Sequence, residues 1–188
     1  SVQKIGGDPL ISIASDGALV VDGSRLSSVI TLDLSNIPGT TAVRFTSLGG
    51  ITEVKTTSGE TLTLSTSQVS GLTVSGSGAV QLGSDTVPSS TDLSGVSAKI
   101  TVASGHTLSL SGAQASGHTI TGDGGVTISD IGTTSVDLSS ITASGAKSVT
   151  VSQSAALNSG TNLGSFSITV ASGQTLTLSA SQAGGATI

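Results

Sequence analysis

Ser104–Ile120, SGHTLSLSGAQASGHTI, has two gapless counterparts in the same chain: SGETLTLSTSQVSGLTV at Ser58–Val74 and SGQTLTLSASQAGGATI at Ser172–Ile188. The first and second copies lie 46 residues apart and the second and third 68, both close to multiples of 23. A half-step of 12 runs inside a copy, since SGHT at Ser104 returns at Ser116. Each copy carries T-L-T-L or T-L-S-L bounded by Gly and Ser. Alternation at period two puts Leu62, Leu64, Leu108, Leu110, Leu176 and Leu178 on one side of a strand and the hydroxyls on the other.

A strand of four or five residues buries little by itself. Stacking the copies, so that each strand pairs with its equivalent in the next turn, would line the interior with a leucine ladder. The repeat therefore predicts an all-β fold, a parallel β-solenoid (β-helix) with rungs of about 22–23 residues. Some eight rungs at about 4.8 Å each would make a rod on the order of 40 Å long. An antiparallel β-sandwich is the alternative, because its turns also recur every ~8–12 residues.

Residues 1–57 fit the period less well and read as a less regular N-terminal β region. Residues 58–188 read as a repeat array, one continuous solenoid, with a degenerate unit at 140–165. DLS, at Asp33, Asp92 and Asp137, is a second recurring marker. The third copy stops where the first two run on into SGSGAVQL and TGDGGVTI, which predicts a piece of a longer array.

Composition points the same way. Of 188 residues, 37 are Ser, 27 Thr and 26 Gly, while Phe45 and Phe166 are the only aromatics. Without bulky filler the interior must be a thin one of Leu, Ile, Val and Ala. Pro occurs three times and β-branched residues abound, which favours strands over disorder. Cysteine is absent, so thiolate metal sites and disulfides are excluded. Net charge is −5, and the six basic residues, Lys4, Arg25, Arg44, Lys55, Lys99 and Lys147, form no cluster. Nucleic acid is therefore a poor partner. No apolar run approaches the ~20 residues of a membrane-spanning helix, so membrane insertion is not expected.

The repeat also serves as an internal control on candidate sites. His106 corresponds to Glu60 and Gln174, and His118 to Leu72 and Ala186, so the histidines read as solvent-facing turn residues. Gln68, Gln114 and Gln182 are kept in all three copies. An amide there can bond up and down a stack, as a structural ladder with the leucines, or contact a glycan. Asp123 and Asp130, in GDGGVTISD, are candidate calcium ligands. That stretch does not recur at nine residues, and calcium wants about six to eight oxygens at one point. No cofactor is the main expectation. The pairs Thr61/Thr63, Thr119/Thr121 and Thr175/Thr177 would suit ice if aligned in a flat row. Eleven acids spread over the array, with no Tyr or Trp platform, do not suggest an enzyme.

The SGxTLTLSxxQ-like units, rich in Ser, Thr and Gly and free of Cys, resemble the large β-strand-repeat proteins of bacterial envelopes, surface-layer-like and adhesin-like. The likeness covers roughly residues 50–188. It implies export to the cell surface and a structural part in a surface layer, filament or matrix built by self-association. It also implies, as the alternative, a stalk or glycan-binding module of an adhesin.

Overall fold

In the computed structural model of the chain, residues 10–26, 30–34, 42–131, 135–183 and 187–188 are described. The architecture is a β-solenoid of stacked parallel coils, about seven turns, mostly strand with little helix. The chain forms two compact units, one of residues 1–83 with 91–100 and one of residues 84–90 with 101–188.

The first unit contains β1 (Leu10–Ile13), β2 (Leu19–Asp22), β3 (Ile30–Asp33), β4 (Ala42–Ser47), β5 (Ile51–Thr56), β6 (Thr61–Leu64), the one-turn helix α1 (Thr66–Val69), β7 (Thr73–Gly76) and β8 (Ala79–Leu82). It ends within β9 (Lys99–Val102). Strands alternate between two sheets as the chain winds, β2-β4-β6-β8-β9 and β3-β5-β7. Period two turns this winding into a core. Leu19, Val43, Leu62, Val80 and Ile100 stand in register as one column. Leu32, Val54, Val74 and Val96 form another in the second sheet. All nine are at most 7% exposed.

Antiparallel pairing among the described strands is confined to β1, which folds back on β2 through a turn at Gly17 (φ 81°). It lies on the outer side of β2, the first strand of the parallel stack. Of the region 1–57, residues 1–9, 27–29 and 35–41 lie outside the described residues. The rest joins the stack without a break at 57, since β4 pairs with β6 and β5 with β7.

The second unit contains β10 (Thr107–Ser111), α2 (Gly112–Ala115), β11 (Ile120–Gly122), β12 (Gly125–Asp130), β13 (Lys147–Val151), β14 (Ala155–Ala156), β15 (Ser167–Val170), β16 (Leu176–Thr177) and α3 (Ala180–Ala183). Its main sheet is β10-β12-β13-β15, all parallel. Leu110, Ile128, Val149 and Ile168 make its buried column.

The ladder differs from the one the repeat suggested. Leu62 and Leu64 stack on Val80 and Leu82, and Leu108 and Leu110 on Val126 and Ile128. The three T-L-T-L copies fall in three different sheets. Coil length is the reason. Register advances 18 residues from Leu62 to Val80 and 20 from Val80 to Ile100. Two coils on from Leu62 is therefore Ile100, and Leu108 lies eight residues past it, on the next strand. A solenoid constrains strand register but leaves the corners free, so steps range from 18 to 25 (Asp22 to Ser47) instead of holding at 22–23.

Where the chain turns from one coil to the next, the backbones touch. Gly76 (φ 105°) and Gly122 (φ 103°), 46 residues apart, occupy the same place in two copies. A Cβ at either would strike the carbonyl oxygen of Thr56 or Val102 in the preceding coil. The positive φ and the contact both require glycine.

Candidate functional site

The most regular polar geometry belongs to the shared Ser-x-x-Gln. The Ser65 and Ser111 hydroxyls accept from the N–H groups of Gln68 and Gln114, and the Gln Oε1 atoms accept in return from the Ser N–H groups, at 2.9 and 3.0 Å. This reciprocal pair is a capping box, which nucleates one helical turn without help from length. Ser179 and Gln182 repeat it at the third copy.

Each amide then uses its Nε2 to reach back one coil. Gln68 donates to the Phe45 carbonyl at 2.9 Å, Gln114 to Pro88 at 2.7 Å, and Gln182 to Asn158 at 2.7 Å and Thr161 at 3.2 Å. The three glutamines are thus clamps between coils. They form no amide-on-amide ladder, because each bonds to main chain and their copies do not stack.

The DLS marker has a structural cause at Asp92 and Asp137. The carboxylates of Asp92 and Asp137 accept from the N–H groups of Ser94 and Ser139, closing Asx turns. Their own N–H groups donate to the hydroxyls of Ser70 and Ser116 in the coil before, both at 3.0 Å. Hydrogen bonds from the Ser94 and Ser139 hydroxyls and N–H groups hold both carboxyls below the ordinary carboxylate range. Asp33, the third, lies in β3 in register with Lys55, and its Ser35 is outside the described residues.

The turn position shared by Glu60, His106 and Gln174 is not uniformly solvent-facing. His106 is exposed, with Nδ1 2.9 Å from Asp85 Oδ1 in the preceding coil. Gln174 Oε1 accepts from the Ser154 N–H at 2.7 Å. Glu60, however, is 3% exposed. Its Oε2 accepts from the Thr57 N–H at 2.7 Å, folding the side chain back over its own turn, while Oε1 has no partner among the described residues. His118 sits just past α2, its N–H donating to the Ala115 carbonyl.

Asp123 is exposed and accepts from the Ser144 hydroxyl at 3.1 Å. Asp130 ends β12, and its side chain lies outside the described residues. The strand between them, at about 3.3 Å per residue, sets the two roughly 20 Å apart, too far to share one calcium ion. No group of three His, Asp or Glu able to hold a metal occurs among the described residues.

The threonine pairs do not align. Thr61 lies beside Ala79, and Thr63 between Arg44 and Gln81. Thr119 lies outside the strands, just before β11, and Thr177 pairs with Ala156. A row of hydroxyls assembles elsewhere. Thr86, Ser109, Thr127, Ser148, Ser167 and Thr187 are successive register partners across the β10-β12-β13-β15 sheet. Thr150 and Thr169 stand beside them in a second row. Sequence reading passed over these rows because no fixed period connects their members, with steps of 23, 18, 21, 19 and 20.

Comparison with protein-family models, with curated proteins and with solved structures finds no match. No helix among the described residues is long and apolar enough to cross a membrane.

Proposed function

We propose that the chain is an extracellular structural repeat protein of a bacterial surface, which associates with copies of itself into a layer, filament or matrix and has no catalytic role. The observation that carries this reading is the way the coils are joined: parallel strands lie in register on one another, and Gln68, Gln114 and Gln182 each bond across to the main chain of the coil before. A stack built from such strands accepts further strands wherever an edge is left unpaired. The envelope location rests on the resemblance of the repeat units, and the lack of cysteine suits it.

A second reading is a stalk or glycan-binding module of an adhesin, favoured by the uncharged hydroxyl rows on the β10-β12-β13-β15 sheet. Electron microscopy of negatively stained native protein, with and without a calcium chelator, tests both. Ordered filaments or lattices that survive chelation are expected. Dispersed short particles at all concentrations would sink self-assembly as the function and leave the glycan reading to be tested by array.

A further inference from the structure

We draw no further inference here: the strongest candidate, the hydroxyl rows of the β10-β12-β13-β15 sheet at Ser109, Thr127, Ser148 and Ser167, carries nothing, because Thr127 bonds to Ser148, Ser167 bonds to the Lys147 carbonyl, and nothing in the structure shows what covers the face.

Discussion

Copies two and three differ little in sequence and greatly in surroundings. SGHTLSLSGAQASGHTI and SGQTLTLSASQAGGATI share their leucines, their Ser-x-x-Gln and their final T-I. Leu110 and Ile120 are fully buried, whereas Leu178 is half-buried and Ile188 is 71% exposed. Gln114 is 7% exposed, while Gln182, making the same kind of bonds, is only half-buried. In copy two the strand is roofed by β12, 18 residues on. The comparison teaches that a solenoid side chain acquires its burial from the coil above it. Identical residues then carry unequal energy.

The largest expected effect comes from the leucines. Leu110→Ala should cost about 3 kcal/mol, the transfer and cavity cost of a fully buried leucine. Leu178→Ala should cost under about 1 kcal/mol, because its site is already partly wet. Urea denaturation of the two variants at low protein concentration measures the difference. Equal losses would show that something covers the last copy in solution, and a Leu178→Ala cost that grows with protein concentration would identify that cover as another copy.

The clamps come next. Gln114→Ala removes a capping box and leaves the Pro88 carbonyl without its donor, so a loss of about 2 kcal/mol is expected. Gln182→Ala exposes its partners to water, and about 1 kcal/mol or less should be lost. Hydrogen exchange at the Ser111 and Ser179 amides reports each helix turn separately. Matching protection losses would erase the distinction between the copies.

The smallest effect concerns the Asx turns. Asp137 titrates below an ordinary carboxylate. Its contribution to stability is therefore complete above the unfolded value of about 3.9 and is lost as pH falls through the lower folded value. Asn162 holds the equivalent turn with its amide oxygen, 3.1 Å from the Gly164 nitrogen. Asp137→Asn should accordingly leave neutral-pH stability unchanged and flatten the acid limb of a pH titration. An unchanged acid limb would place that pH dependence on other carboxyls.

Much of this was legible in the residues. The T-L-T-L alternation required half-buried strands, and the recurrence required stacking, so solenoid architecture followed. The constancy of Gln68, Gln114 and Gln182 marked a structural role, though an inter-coil bond to main chain looks no different in sequence from an amide ladder. Variation among His106, Glu60 and Gln174 marked the histidine as solvent-facing, and His106 is exposed, but Glu60 at the same place is buried, because variation tracks exposure only when every copy has the same neighbours. The hydroxyl rows were invisible, since steps of 18 to 23 residues follow no period.

By itself, the sequence determined the strands, the one-turn helices with their capping boxes and the glycines at the coil steps. These depend on alternation, on contacts within four residues and on backbone conformations only glycine adopts freely. Tertiary structure alone decided which strand lies on which, and with it the burial of each leucine and the pairing of His106 with Asp85. Those depend on corner lengths summed around each coil, a quantity that no local pattern in the chain records.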